Sequence, residues 1–212
     1  MCATVGCGQK DAVVSTDLST PRSAATVFTR ALETGDAGTA KSAAFAGGIE
    51  LEWIEGMAQS MSGMRQLVAA AEEKFGAASA ASLVAGKHTL HMSGSIKDAE
   101  VQMEGDRATI VPTGDRMRIP LKRFDGRWKV DIGSLTRGQE LSPMVKQLRA
   151  LGVVAPQVTG DVKAGKFKAV DEVQRALAFE VARAMYGGSA THPSTQTAPA
   201  PAPVADDPLL SF

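Results

Sequence analysis

The chain lacks several features that would point to particular functions. Aromatic residues make up only 5% of it, and only one of them is tyrosine, so stacking platforms for nucleic-acid bases are not expected. Asparagine is absent altogether. Its 23 basic and 23 acidic residues balance to a net charge of zero, whereas binding nucleic acid needs a basic excess. No apolar run reaches the ~20 residues that a membrane-spanning helix needs. We therefore expect neither a nucleic-acid partner nor a transmembrane segment.

Cysteine is nearly absent, because Cys2 and Cys7 are the only two and both precede residue 8. A disulfide between them would close a tiny loop, and no Cys–His metal spacing exists. Residues 3–10 (ATVGCGQK) resemble the end of a bacterial lipoprotein signal, in which a small residue precedes a lipidated cysteine, but no basic or apolar region comes before them. If Cys7 is lipidated, the true start lies upstream, and we expect a cell-envelope protein whose lipid anchor is its only membrane contact. Otherwise residues 1–18 are a flexible tether of a cytoplasmic protein.

Apolar and polar residues alternate between residues 99 and 135, which predicts β-strands with one apolar face. Tight turns are expected where glycine and aspartate adjoin, at Gly105-Asp106, Gly114-Asp115 and Asp125-Gly126. Short turns force neighbouring strands to pair antiparallel. The pattern predicts a four-stranded meander with strands at residues 99–104, 108–111, 116–122 and 128–132.

Three helices are predicted upstream of this sheet. The first begins at Pro21 with Thr20 as its N-cap and ends at Gly35. The second runs from Asp36 to Ala46, and the third spans residues 49–75. A sheet with one apolar face has to be covered, and these helices are the available cover. The fold class is therefore α+β.

Methionine recurs at helical spacing on the third predicted helix. Gly56 and Gly63 each lower the expected stability of this helix by about 1 kcal/mol relative to alanine. Its apolar stripe predicts a core face or, because methionine packs adaptably, a pocket for an apolar ligand. Together with three sheet residues, the predicted pocket or core lining is Trp53, Met57, Met61, Met64, Met117, Ile119 and Trp128.

The segments ETGDAGTAKSAAFAGG and VQMEGDRATIVPTGDRMRIPLKRFDGRWKVDIGSL resemble the nuclear transport factor 2-like superfamily, which includes ketosteroid isomerases and SnoaL-like cyclases. The likeness covers residues 19–135. It implies a cone-shaped domain in which N-terminal helices pack on a curved four-stranded antiparallel sheet. The superfamily uses this cone for enzymes, binding modules and assembly domains, and its members commonly dimerise through the sheet. The resemblance therefore implies a fold and no single activity.

A helical extension is predicted at residues 140–187. Its first helix starts at Ser142 and stops at Gly152, where a connector over residues 153–160 follows. Its second helix spans residues 169–185. Packing back on the domain is the expected outcome, although the second helix could also dock a partner.

The last segment, residues 188–212, is rich in proline and alanine. Such a composition buries little apolar surface, so we expect it to be disordered. Residues 209–212 (LLSF) are a small apolar end that is either a recognition tag or a frayed terminus.

Catalytic and metal-binding residues are not specified by the sequence. The family's isomerases pair an aspartate inside the cone with a tyrosine, but Asp131 alternates with Trp128 and so faces the other way. The only tyrosine, Tyr186, lies outside the region of resemblance. His88 and His91 have no third ligand. We expect no catalytic residue, no metal site and no cofactor.

The sequence thus predicts a non-enzymatic bacterial binding domain, tethered through Cys7, that binds a small apolar ligand or a protein partner. One alternative is an enzyme of the isomerase or cyclase type, with acid–base residues in the cone. The other is a cytosolic assembly module that forms a homodimer through its sheet.

Overall fold

A computed structural model of the chain describes residues 16–84, 96–112 and 118–187. Over this part the protein is a mixed α+β structure with a five-stranded sheet, which confirms the predicted fold class. Its helices are α1 Pro21–Thr34, α2 Ala37–Ser42, α3 Ile49–Phe75, α4 Ala77–Ala80, α5 Ile132–Leu135, α6 Leu141–Lys163 and α7 Val170–Tyr186. Its strands are β1 Ala44–Phe45, β2 Glu100–Glu104, β3 Arg107–Val111, β4 Ile119–Phe124 and β5 Arg127–Asp131.

Helix α1 begins and ends where its sequence signals predict. The Thr20 hydroxyl accepts a hydrogen bond from the Ser23 N–H, and the Ser23 hydroxyl accepts one from the Thr20 N–H. This reciprocal capping satisfies two N–H groups that the first turn leaves free. Gly35 then adopts a left-handed conformation with φ +82°, which glycine tolerates best.

The sheet has the strand order β1-β5-β4-β3-β2, so the prediction of four strands was wrong in number. The second helix ends at Ser42 rather than Ala46, and Ala44–Phe45 forms a short strand parallel to β5. The free edge of β5 explains this difference, because the Val130 N–H donates to the Ala43 carbonyl at 3.0 Å. Backbone groups of a buried strand need such partners, and a two-residue strand shows no alternation to predict it from.

The other four strands form the predicted antiparallel meander. The fourth strand ends at Asp131, one residue earlier than expected. The Asp131 carboxylate accepts hydrogen bonds from the Ser134 N–H and hydroxyl, and so caps the short helix α5 that Ile132 begins. At the β4–β5 hairpin, Asp125 and Gly126 both have positive φ, as a two-residue turn of this kind requires.

The predicted stop at Gly152 and the predicted connector over residues 153–160 were both wrong, because α6 is continuous from Leu141 to Lys163. Gly152 is a contact residue: a Cβ there would lie 3.0 Å from the Gln59 Cβ on α3. Pro156 removes one helical hydrogen bond, but its ring lies beside Gly63 of α3 and the packed helix tolerates it. Tertiary packing here overrides the local signals.

Helices α3 and α6 lie side by side and run in the same direction. A Cβ at Gly56 would meet the Leu148 Cβ at 3.0 Å, and a Cβ at Gly63 would meet the Ala155 Cβ at 3.1 Å. The contacts therefore advance together along both helices. The two glycines that weaken α3 by propensity are the residues that let α6 approach it.

Buried apolar side chains of the described residues form two clusters, which define two halves of the molecule. The sheet half contains the five strands, α1, α2, α5 and the first part of α3 through Met61. The helical half contains α3 from Met64 onward, α4, the later part of α6, and α7, whose predicted span of residues 169–185 is confirmed to within one residue. Helix α4 and a 3₁₀ turn at Ala81–Val84 were not predicted.

Candidate functional site

The predicted lining residues divide between the two clusters. Met117 lies outside the described residues, as do Cys7, His88, His91 and the segment 188–212. In the sheet half, the buried members are Trp53, Met61, Ile119 and Trp128, with Met57 packed against them. Met64 is buried in the helical half instead. The stripe on α3 is therefore shared by two interiors and does not converge on one pocket.

Trp53 stands out among the buried side chains. Its indole Nε1–H is buried and has no hydrogen-bond acceptor among the described residues. A buried donor without a partner costs about 1–3 kcal/mol. This N–H is therefore a polar contact that the sheet half offers within an otherwise apolar interior.

The outer face of the sheet, which points away from the cluster, carries a row of charged side chains. The register places Glu104, Arg107, Lys122 and Lys129 opposite one another on successive strands β2, β3, β4 and β5. Three adjacent cations thus cross the centre of the sheet, and we call Arg107, Lys122 and Lys129 the basic stripe. A group of positive charges on a surface attracts a negatively charged partner.

Two exposed aromatic rings lie beside the basic stripe. Phe45 on β1 and Phe124 on β4 are 38% and 45% exposed, with ring centroids 5.6 Å apart. The Lys122 Nζ lies 4.8 Å from the centroid of the Phe45 ring, within cation–π range. We call Phe45 and Phe124 the aromatic pair. The sequence interpretation missed Phe45, because it placed this residue inside a helix.

A groove of about 830 Å³ adjoins the aromatic pair at the β4–β5 hairpin. Leu18 forms part of its wall, and its carbonyl accepts a hydrogen bond from the Trp128 N–H at 2.9 Å. Phe124, Arg127 and Lys129 also line it, together with the acidic residues Asp17 and Asp125. The outer face is therefore concave next to its aromatic and basic residues.

The aspartate and tyrosine weighed for catalysis have separate structural settings. Asp131 shares the outer face with Lys129, as the alternation predicts, and its carboxylate caps α5. Tyr186 is 80% exposed at the end of α7, where the Lys146 Nζ lies 5.6 Å from its ring. None of these interactions joins the two residues.

Three exposed or half-buried carboxyl groups have shifted pKa values. Hydrogen bonds from the Ser19 and Thr39 side chains and N–H groups lower the pKa of Asp17 and Asp36, respectively. The hydrogen bond from the Lys41 ammonium lowers the pKa of Glu55. Burial in an apolar interior would raise the pKa of a carboxyl group that acts as a proton-accepting base. The pKa values of these three groups are lowered instead, as expected for caps and surface pairs.

Within residues 16–84, 96–112 and 118–187, no three histidine, cysteine, aspartate or glutamate side chains are grouped closely enough to share a metal ion. Of the helices in these ranges, none combines the length and apolar character needed to cross a bilayer.

Comparison with known proteins does not identify a family. No protein-family model, curated protein or solved structure matches this chain.

Proposed function

We propose that this protein is a non-enzymatic binding module whose outer sheet face holds an acidic segment of a protein partner. The observation that carries the proposal is the basic stripe with the aromatic pair beside it. Aromatic residues and arginine are enriched in binding sites between proteins, and a group of cations steers an acidic partner toward such a site. A cone-shaped nuclear transport factor 2-like domain, as the sequence resemblance implies, is a scaffold on which such a face could serve binding without chemistry.

The charge pattern favours an acidic partner over a second copy of the chain. In a face-to-face homodimer, the central Arg107 and Lys122 of one copy would lie near the same cations of the other. Opposed like charges cost free energy and disfavour the wrong partner. Glu100 and Glu104 at the β2 edge and Asp131 on β5 offset this only in part, because Arg127 adds a further positive charge to the same face. Homodimerisation through the sheet is therefore the alternative that the test must distinguish.

Photo-crosslinking in the native cells tests the proposal. A benzoylphenylalanine replaces Phe124 in the full-length chain, and we expect it to form an adduct with another protein. Reversal of two stripe charges, Lys122→Glu with Lys129→Glu, should abolish the adduct because an acidic segment would then be repelled. The same photoreactive residue at exposed Tyr186 serves as the control for random collision.

A second charge-reversed variant keeps the experiment specific. Arg30→Glu with Lys163→Glu changes the net charge equally, at exposed residues away from the outer face, and should leave the adduct intact. Adducts that survive reversal of the stripe would overturn the proposal. An adduct with twice the mass of this chain would instead identify a homodimer.

A small apolar ligand is a second candidate, favoured by the unpartnered indole N–H of Trp53. A carbonyl or ether oxygen on such a ligand would supply the missing acceptor. The neutral dye N-phenyl-1-naphthylamine is a suitable probe, because its fluorescence rises in apolar surroundings. Fluorescence that rises with the native chain and falls with Trp53→Phe would support this function, whereas no rise with the native chain would exclude an accessible apolar site for the dye.

The tether at Cys7 is part of the proposal and has its own test. We expect the intact mass of the native protein from the membrane fraction to correspond to a chain that starts at Cys7 and carries acyl groups. An unmodified chain that starts at Met1 in the soluble fraction would overturn the tether and leave the binding face unaffected.

A further inference from the structure

A second groove lies between three helices and shares no lining residue with the groove beside the outer sheet face. It has a volume of about 460 Å³ and runs between the start of α3, the first three turns of α6 and the end of α7. Its floor and walls contain apolar side chains from all three helices, namely Ile49, Val145, Ala150, Val153 and Ala184. Val153 is 59% exposed and Ile49 is 38% exposed, so the groove presents apolar surface to solvent.

Basic residues border the groove. Lys146 and Arg149 both line it, one helical turn before Ala150 and Val153, respectively. Arg149 is paired with Glu52 at 3.0 Å, whereas the Lys146 ammonium lies over the Tyr186 ring. An occupant with apolar side chains and a neighbouring negative charge would complement both the floor and the rim.

We infer that this groove binds residues 209–212 (LLSF) of the same chain. Three of these four residues are apolar, which matches the floor, and Asp206 and Asp207 precede them, which matches Lys146 at the rim. This inference is independent of the proposed function, because it uses a different surface and a different occupant.

The connection to the groove is short enough for this docking. Helix α7 ends at Tyr186, and its Ala184 already forms part of the groove. Residues 188–208 could extend to roughly 70 Å, whereas the groove from Ser142 to Val153 follows α6 for only roughly 17 Å. A tethered segment also experiences an effective concentration in the millimolar range, so modest affinity is sufficient for docking.

Disulfide trapping in the full-length chain tests the inference. Cys2→Ser and Cys7→Ser remove the native thiols, and Val153→Cys with Ser211→Cys introduces one thiol in the groove and one in the segment. Ser211 is chosen because the three apolar residues around it are retained. We expect the intramolecular disulfide to form about tenfold faster than in a control in which Gln157→Cys replaces Val153→Cys, since docking raises the effective concentration.

Gln157 is a matched control because it is exposed on the same helix one turn beyond Val153 and does not line the groove. Replacement of Leu209, Leu210 and Phe212 by serine should lower the rate for Val153→Cys to the control rate. Equal rates at the two positions would overturn the inference. A disulfide between two chains as the main product would also overturn it, because the segment would then come from a second copy.

Discussion

The sheet half and the helical half fill their interiors with side chains of different size. The largest buried side chains lie in the sheet half, where Phe28 and Ile54 are fully buried and both tryptophans lie in the cluster among several alanines. The helical half contains mostly alanine and valine, and its helices approach closely at Gly63. A sheet leaves a wide space that large residues fill, whereas two close helices leave almost none. The size of core residues thus reports how closely the backbones approach.

The helices also differ in how their first turns are capped. Side chains cap α1, α2 and α5, through Thr20, Asp36 and Asp131. No side-chain hydrogen bond caps the first turn of α3, α6 or α7. These three helices are the longest in the described part of the chain, and their stability comes from packing rather than from local signals.

The largest effect is expected from a cavity in the sheet half. Phe28→Ala removes a ring that is 2% exposed, and we expect the free energy of unfolding to fall by about 4 kcal/mol. Urea denaturation measures this change. Phe45→Ala is the matched control, because the same atoms are removed from an exposed position. Equal losses at the two positions would contradict the assignment of Phe28 to a packed core.

A smaller loss is expected from overpacking in the helical half. Gly63→Leu would force α3 and α6 apart, because a Cβ alone meets Ala155 at 3.1 Å, and we expect a loss of about 3 kcal/mol. Gly160→Leu on α6 is the control, since its Cβ would meet nothing within 4 Å. Because leucine has a better helix propensity than glycine, Gly160→Leu should raise the free energy of unfolding by about 0.8 kcal/mol. If both variants were stabilised, the close contact of these helices would be refuted.

The smallest effect concerns the side-chain caps, which in the described residues are found on α1, α2 and α5. Asp36→Ala should cost about 1 kcal/mol at pH 7, because the N–H of Thr39 loses its acceptor. The pKa of Asp36 is lowered in the folded state, so its contribution is complete above the unfolded value of about 3.9 and disappears as pH falls through the lowered value. Thermal denaturation at pH values from roughly 2 to 7 measures this change.

Asp36→Asn provides the matched control for the cap. Asparagine caps about as well as aspartate but does not titrate, so its difference from the native chain should be small at pH 7. A loss for Asp36→Ala that stays constant down to the lowest pH would show that the carboxylate charge is not involved.

Local signals explain why much of the sheet half was predictable. Thr20, Pro21 and Gly35 delimit α1 within a few residues of themselves, and Asp125-Gly126 specifies a hairpin without reference to any distant contact. Residues 44–45 were missed because a two-residue strand depends on β5, which lies far along the chain. The pairing partner, and not the local pattern, determines that strand.

The helical half shows the opposite relation between sequence and structure. Gly152 and Pro156 are helix-ending signals in isolation, yet both lie within α6 because α3 packs beside them. The methionine stripe was predicted to line one interior, and Met64 belongs to the other cluster. The basic stripe could be predicted from the sequence only in part, because strand register decides which charged residues become neighbours.

The parallel arrangement of α3 and α6 has a consequence for the order of folding. Contacting residues of the two helices are about 90 positions apart, so their association must close a long loop that contains most of the sheet. A chain emerging from the ribosome completes α3 long before α6 is available. During that interval the glycine-lined face of α3 has no intramolecular cover, which makes it the surface where a chaperone would be most useful.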